Sequence, residues 1–269
     1  MKLAYALLLF VAAASLAFGE SFDIMLRPDF KVIFDEQGVE GSILIYDKQK
    51  DEYIGYNLPM IDAQYLPAST FKIFNSLVSL ETGAIKTESD TLRWDGKDKG
   101  RPQWNKDHNM RSAIKYSVVW FYQELARRVG EKRMKDYIDR VGYGNKDISG
   151  GIDRFWLTGG LRISSIEQIA FLRKLEANKL PFSQRTIDIV KDIMILDSTD
   201  TYLLRGKTGW SAEGEPEIGW FVGYVEAKGK VYFFSTNIIM TGAKDMAARE
   251  AVTRKVLQTL GILKEAEGK

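Results

Sequence analysis

The sequence contains no cysteine among its 269 residues. Disulfides, cysteine-ligated zinc sites, a cysteine nucleophile and a lipid-modified cysteine anchor are therefore excluded. Its only histidine is His108, so a zinc-dependent hydrolase is not expected and no metal site is predicted. Without crosslinks the fold has to be stabilised by its core, and a chain that is 45% hydrophobic can bury a substantial one.

An excess of charge of either sign is also missing. The chain has 38 Lys and Arg residues against 36 Asp and Glu residues, a formal net charge of +2. No basic stripe or acidic run indicates nucleic acid as a partner. A small neutral or anionic ligand fits this balance better.

Long apolar runs are lacking outside the N-terminus. A cleavable secretory signal is indicated there by Lys2, the apolar run Leu3–Leu16 and the small residues Ala17 and Gly19. A membrane anchor needs roughly 20 apolar residues, and this run is shorter. We therefore expect residues 1–19 to be a signal peptide, residues 20–269 to be one domain, and the mature protein to be periplasmic or secreted, with no stable membrane association.

The hydrophobic pattern predicts strands near both chain ends and helices between them. Strands are predicted at Gly41–Tyr46, Tyr53–Tyr56, Thr201–Arg205, Ile218–Val225 and Val231–Ile238. Helices are predicted from Ser69 to Gly83 and at Val118–Val129, Glu131–Val141, Ser164–Asn178, Ser183–Ile195 and about Asp245–Leu260. This order indicates an α/β fold of the α+β type, in which both chain ends form one antiparallel sheet with flanking helices. A helical subdomain, roughly residues 84–195, is inserted, and a cleft between the two parts would suit a catalytic site.

One short motif pairs a hydroxyl with an amine. In Pro67-Ala68-Ser69-Thr70-Phe71-Lys72, Ser69 and Lys72 are three residues apart at the start of a predicted helix, so their side chains are neighbours. A serine needs a base to become a nucleophile, and the lysine is placed to provide one. The SxxK pattern alone is expected about once by chance in such a chain, and Ser112 and Lys115 form a second copy.

Two later motifs distinguish the first copy from the second. Ser117-Val118-Val119 places another hydroxyl at a helix start, and Lys207-Thr208-Gly209 lies next to predicted strands. SxxK, a serine-led triplet and KTG in this order are the signature of active-site-serine enzymes that recognise penicillins. Nothing comparable follows Ser112.

Three further segments extend this likeness: Tyr143-Gly144-Asn145, Phe155-Trp156-Leu157 and Ile218-Gly219-Trp220-Phe221-Val222-Gly223. With them, nearly the whole mature chain resembles the class D (oxacillinase-type) serine β-lactamases, which share the fold of penicillin-binding proteins. The middle triplet is SVV where class A enzymes have SDN, and no ExxLN segment supplies the class A glutamate. The general base must therefore come from another residue.

The resemblance implies that Ser69 attacks the lactam carbonyl and that Lys72, N-carboxylated by carbon dioxide, is the base. It implies no other cofactor. Ser117 would pass a proton to the departing nitrogen, and the backbone N–H groups of Ser69 and Trp210 would form the oxyanion hole. The remaining implied roles are substrate binding by Lys207, Thr208, Gly209, Trp210 and Arg249, support of the carbamate by Trp156 and Val118, and shaping of the site by Tyr143 and Asn145.

N-carboxylation sets a physical condition on Lys72. A lysine with a pKa of ~10.4 is neutral in only about one molecule in 2500 at pH 7, and only the neutral amine reacts with carbon dioxide. Burial has to lower this pKa, and Phe71, Val118, Val119 and Trp156 are candidates for the apolar pocket. Trp156 could instead be an ordinary core residue, and Arg249 a solvated surface charge.

Other functions remain open at this stage. A transpeptidase or carboxypeptidase would use the same serine chemistry on a peptide, and a β-lactam sensor would be acylated without turnover. A triad with His108 lacks a GxSxG elbow, and a phosphate loop ending at Lys207 would need glycine where the chain has Thr201. We expect a small-molecule β-lactam as substrate and a monomer or homodimer, with no nucleic acid bound.

Overall fold

The computed structural model describes residues 10–15 and 21–263. Within these ranges, eight strands form one sheet and helices cover it. The strands are β1 (Phe10–Ser15), β2 (Ser21–Leu26), β3 (Gly41–Asp47), β4 (Glu52–Tyr56), β5 (Ile195–Ser198), β6 (Tyr202–Ser211), β7 (Ile218–Ala227) and β8 (Lys230–Ile239). The α-helices are α1 (Lys31–Glu36), α2 (Leu58–Asp62), α3 (Lys72–Glu81), α4 (Met110–Lys115), α5 (Val119–Val129), α6 (Glu131–Val141), α7 (Ser165–Glu176), α8 (Gln184–Ile193) and α9 (Ala248–Thr259).

The strand order across the sheet is β1-β2-β4-β3-β8-β7-β6-β5. The two chain ends meet at its centre, where β3 pairs antiparallel with β8 and Ile43 lies opposite Thr236. The α+β class and a sheet built from both chain ends are therefore confirmed. The sheet is mixed rather than purely antiparallel, because β4, the second strand of the β3/β4 hairpin, runs in the same direction as β2 and pairs with it in parallel.

The hydrophobic core lies on both faces of the sheet. Almost every residue of β7 is buried, which is expected of a strand covered on two sides. On one face, α7 packs against β7 and β8 as part of the larger cluster, which also contains the buried residues of α3 and α5. On the other face, α1 and α9 cover a smaller cluster. The site residues lie where the sheet meets the larger cluster.

The long helices lie close to where the hydrophobic pattern predicts them. Gly130 and Gly142 end α5 and α6 with positive φ angles of 79° and 71°, a conformation in which glycine is unstrained. Helix α7 begins with a capping box in which Ser164 and Glu167 each accept a hydrogen bond from the other's backbone N–H. Three short helices, α1, α2 and α4, and the strands β2 and β5 are absent from the sequence-based prediction.

The predicted signal segment is described only in part. Residues 10–15 form β1, which pairs antiparallel with β2 at the edge of the sheet. Residues 1–9 and 16–20 lie outside the described residues. In the described ranges, no helix combines the length and apolar character required to cross a membrane. Cleavage near Glu20 stays a prediction.

Candidate active site

Ser69 lies in a 3₁₀ helix, Ala68–Phe71, that leads directly into α3. Hydrogen bonds to neighbouring segments fix this 3₁₀ turn. Ala68 has a φ of 48°, and its backbone N–H donates to the Trp156 carbonyl over 3.0 Å. The Thr70 hydroxyl donates to the Pro67 carbonyl at 2.7 Å and accepts from the Gln168 amide at 2.9 Å. These bonds fix the backbone that carries Ser69, whose own side chain is half-buried.

The amine of Lys72 meets the hydroxyl of Ser69. Their Nζ and Oγ atoms are 2.7 Å apart, within hydrogen-bonding distance. The lysine is only 1% exposed, and this burial, followed by the nearby charges of Lys207 and Arg101, lowers the pKa of its amine well below the ordinary value. A neutral amine can accept the serine proton or react with carbon dioxide, whereas an ammonium can do neither.

Three of the four residues predicted to form an apolar pocket for Lys72 belong to the larger hydrophobic cluster. The rings of Phe71 and Trp156 stack with centroids 5.1 Å apart, and the buried Val118 belongs to the same hydrophobic cluster. The Tyr122 ring centroid is 5.5 Å from Lys72 Nζ, a contact that the sequence analysis missed. Val119, the fourth residue predicted for the pocket, is half-buried at the start of α5.

Ser117 lies in the short connection between α4 and α5. Its φ is 56°, a strained left-handed value for a residue with a side chain, and its backbone N–H donates to the Ile114 carbonyl over 3.3 Å. The hydroxyl is half-buried at the start of α5, the helix that packs against α3. The turn thus places Ser117 directly before the helix that packs against α3, which begins with Lys72.

Strand β6 carries the KTG triplet and is longer than predicted, since Lys207, Thr208 and Gly209 lie inside it rather than beyond its end. Gly209 faces the Ser69 turn closely: a Cβ atom there would be 3.1 Å from both the Pro67 carbonyl oxygen and Thr70 Cγ2. A larger residue would therefore require the strand or the turn to shift slightly. The glycine of the triplet therefore allows β6 to pack against the turn that holds Ser69.

The backbone of β6 offers a donor for an oxyanion. The Gly206 N–H donates to the Met194 carbonyl over 2.9 Å, away from β7. Backbone N–H groups alternate in direction along a strand, so the Trp210 N–H points to the same side of β6 as the Gly206 N–H, away from β7. On that side β5 pairs with β6 only as far as Arg205, and no other described strand pairs with the rest of β6. The Trp210 side chain is fixed by a 2.8 Å hydrogen bond from its indole N–H to Glu217.

Lys207 and Arg249 place two cations beside the triplet. Lys207 is 4% exposed, and its ammonium lies 3.0 Å from the Thr208 carbonyl and 3.3 Å from the Thr208 hydroxyl. Burial, followed by the charge of Arg249, lowers the pKa of Lys207 to about 7. Two buried cations with few anionic neighbours form a site for a carboxylate.

Arg249 is buried rather than solvated. It is 5% exposed, and its guanidinium donates to the Gly209 carbonyl over 2.6 Å and to the Met246 carbonyl over 2.8 Å. Burial lowers its pKa to about 10. Gly219 on β7 leaves space for the Arg249 side chain, because a Cβ atom at position 219 would be only 2.9 Å from Arg249 Cδ. The alternative of an exposed surface charge is wrong for this residue.

Tyr143 and Asn145 support the site from behind. The buried Tyr143 ring meets the Phe71 ring edge-on at 5.7 Å. The Asn145 amide donates to the Gly160 carbonyl at 2.9 Å and accepts from the Arg162 N–H at 2.9 Å. Their role in shaping the site stays a prediction.

The second SxxK copy has a structural role. The Ser112 hydroxyl completes a capping box with Asn109 at the start of α4, and it lies 2.9 Å from His108 Nδ1. The other nitrogen of His108 lies 2.9 Å from the Gln103 carbonyl, so the ring is tied to this loop. Lys115 is exposed and does not meet Ser112. Among residues 10–15 and 21–263, no cluster of three metal-ligating side chains is present.

Comparisons with known proteins agree with this arrangement. The Transpeptidase family model, described as a penicillin binding protein transpeptidase domain, matches residues 32–258. Beta-lactamase OXA-48 of Klebsiella pneumoniae is 45% identical over 84% of this chain and 85% of its own length. Beta-lactamase OXA-10 of Pseudomonas aeruginosa is 40% identical over 86% of this chain and 88% of its own.

Solved structures give the same result. The crystal structure of the class D β-lactamase YbXI from Nostoc has a TM-score of 0.86 and 51% identity, covering 88% of this chain and all 100% of that chain. The crystal structure of a class D β-lactamase from Sebaldella termitidis has a TM-score of 0.85 and 40% identity, covering 90% of this chain and 98% of that chain.

Proposed function

Because the chain belongs to the class D β-lactamases and is therefore a serine hydrolase of β-lactams, we propose that Ser69 is its acylated nucleophile and N-carboxylated Lys72 its general base. The observation that carries this proposal is the 2.7 Å approach of a fully buried lysine amine to the Ser69 hydroxyl. An uncharged nitrogen in such a pocket has the reactivity that both roles require.

The pocket suits a carbamate on Lys72. The low pKa of the amine keeps it nucleophilic, so its nitrogen can bond to the carbon of carbon dioxide and release a proton to water. The product is an anion, and the neighbouring cation Lys207 favours it. In acylation this group takes the Ser69 proton while the Ser69 oxygen attacks the lactam carbonyl, and in deacylation it takes a proton from water.

The remaining residues bind, orient and transfer protons. The backbone N–H groups of Ser69 and Trp210 hold the oxygen that becomes negative during attack. Ser117 passes a proton to the lactam nitrogen as its bond to the carbonyl carbon breaks. Lys207, Thr208 and Arg249 bind the carboxylate on the ring fused to the lactam, and this contact orients the carbonyl towards Ser69.

Export is a separate proposal, which rests on the composition of residues 1–19. A basic residue, an apolar run and small residues together match a secretory signal. Protein recovered from the periplasm or medium of a bacterial host is expected to begin near Glu20. Recovery only of full-length protein inside the cell would contradict export.

The two SxxK motifs provide a matched test of the catalytic proposal. Ser69→Ala is expected to abolish acylation by a penicillin and to lower hydrolysis at least about 1000-fold, because it removes the hydroxyl that lies 2.7 Å from the buried Lys72 amine. Ser112→Ala is expected to retain most activity and to lose about 1 kcal/mol of stability, since it removes half of a helix cap. Both are measured by hydrolysis of a chromogenic cephalosporin and by thermal unfolding.

The kinetics of the unmodified protein distinguish the alternatives. We expect many turnovers for each protein molecule. A single stoichiometric burst with no further product would indicate a sensor or penicillin-binding protein that is acylated but does not hydrolyse the adduct. Activity that survives Ser69→Ala and is lost in Ser112→Ala would contradict the assignment of the nucleophile.

A further inference from the structure

The loop before α4 carries an arginine at the edge of the site. Arg101 is half-buried, and its guanidinium carbon lies 5.1 Å from the centroid of the Trp104 ring. Trp104 is itself fixed: its indole N–H donates to the Tyr116 carbonyl over 2.9 Å, and its own carbonyl accepts from the Trp120 indole over 2.9 Å. Since Tyr116 directly precedes Ser117, this loop is anchored beside the site.

Among the described residues, the Arg101 guanidinium has no carboxylate partner. Across the described part of the chain, no carboxylate oxygen lies within ion-pair distance of its guanidinium, whereas Arg111 and Arg127 are each paired with two carboxylates. An aromatic face restricts the side chain without neutralising it. A guanidinium held in this way has several donors left for a ligand.

The charge of Arg101 reaches the reactive groups on two different elements. It contributes to lowering the pKa of Lys72 on α3, and it does the same for Arg249 on α9. Arg101 thus lies near both side chains, on the loop that Trp104 ties to Tyr116, the residue before Ser117. Arg101, Lys207 and Arg249 are thus three basic side chains at this site. Binding the one ring carboxylate of the proposed substrate does not require all three.

We propose that Arg101 determines specificity by binding a second anionic group on the β-lactam, in addition to the ring carboxylate held by Lys207 and Arg249. This inference rests on the proposed function. Penicillins and cephalosporins can carry such a group on the acyl side chain or, in cephalosporins, on the substituent of the six-membered ring. Electrostatic complementarity then gives dianionic substrates an advantage over otherwise identical monoanions.

Matched substrates isolate this effect. The first pair is benzylpenicillin and its α-carboxy derivative, which differ by one carboxylate on the acyl side chain. The second is a pair of cephalosporins with an anionic or a neutral ring substituent. Arg101 also acts on Lys72, but any change in the reactivity of Lys72 affects both members of a pair alike. The ratio of their kcat/KM values, measured in competition, therefore reports the contact alone.

In Arg101→Gln we expect the dianion-to-monoanion ratio to fall about fivefold in at least one pair, mainly through KM. Arg101→Lys should keep most of the preference, because it keeps the charge. Lys97→Gln is the matched control: it removes a charge from an exposed residue of the same loop and should leave the ratio unchanged. In the unmodified enzyme, raising the salt concentration should also lower the ratio.

The outcomes separate this inference from the catalytic proposal. An unchanged ratio in both pairs for Arg101→Gln, with benzylpenicillin still hydrolysed, would overturn the role of Arg101 alone. A wild-type protein that does not turn over benzylpenicillin would instead overturn the proposed function. If Arg101→Gln does not fold, Arg101→Lys and the salt dependence of the wild-type ratio decide the question, and a salt-independent ratio would refute it.

Discussion

At the scale of single residues, burial lowers the pKa of two lysines but has different functional consequences for each. Lys72 has a neighbouring hydroxyl and no carboxylate, so its lowered pKa leaves a reactive amine. Lys207 bonds to Thr208 and lies near Arg249, so it serves as a cation whose charge is costly until an anionic ligand arrives. Both residues reduce stability in the absence of substrate, as functional groups often do.

The cost of Lys207 depends on pH. Its pKa is lowered from 10.5 to about 7 on folding. Above pH 10.5 the Lys207 amine is neutral in both the folded and the unfolded chain, so folding has no charge penalty. As the pH falls from 10.5 towards 7, the unfolded chain binds the proton before the folded chain does, and the folded state loses stability. We predict that Lys207→Met is more stable than wild type by about 2 to 4 kcal/mol near pH 6, with the difference shrinking towards pH 10.

Chemical denaturation at a series of pH values measures this difference. Lys97→Met, at an exposed position, is the control and should show almost no change at any pH. A Lys207→Met gain that is independent of pH would contradict a charge penalty and would indicate a packing effect.

Some site residues can be predicted from the sequence and others cannot. Ser69 and Lys72 are three residues apart on a helix, so local geometry alone makes them neighbours. The burial of Arg249 depends on Gly219, which is distant in sequence, and no local pattern reveals it. The position of Arg101 depends on how a loop folds over Trp104, and loop conformation is not encoded in hydrophobic periodicity.

At the scale of secondary-structure elements, the α4–α5 connection allows the backbone strain at Ser117 and the chemistry of its hydroxyl to be tested separately. Ser117 adopts a φ of 56°, which costs a residue with a side chain roughly 1 kcal/mol and costs glycine little. Ser117→Gly and Ser117→Ala both remove the hydroxyl, but only glycine removes the strain.

We predict that the two variants lose activity equally, by about 10- to 1000-fold in kcat for a penicillin, because both lack the proton relay. Ser117→Gly should be about 1 kcal/mol more stable than Ser117→Ala in denaturant unfolding. If glycine and alanine differed in kcat but not in stability, the backbone rather than the hydroxyl would be the catalytic requirement.

Element prediction succeeded where the apolar spacing is regular. Helices α5 and α6 combine helical spacing with a terminal glycine, and their bounds match to within a residue. Strand β6 was predicted too short because its polar and glycine residues resemble a turn, although they form part of the strand that faces the site. Helices of five or six residues, such as α1 and α4, are too short to show a full period.

At the scale of the whole molecule, the sheet explains why distant motifs act together. Its centre joins strands from the two chain ends, and the Ser69 turn that leads into α3 contacts both β6 and β7. The order of the predicted strands and helices indicates this class of fold. The parallel pairing of β2 with β4 was not predicted, because β2 itself was not recognised as a strand in the sequence.

Carbon-13 NMR of the enzyme equilibrated with ¹³C-labelled bicarbonate decides whether the buried Lys72 amine is carboxylated beside Ser69. We expect one carbamate resonance at neutral pH, which disappears on acidification together with activity, returns with it when bicarbonate is restored, and is absent from Lys72→Ala. A fully active enzyme that shows no such resonance would contradict the carboxylation of Lys72.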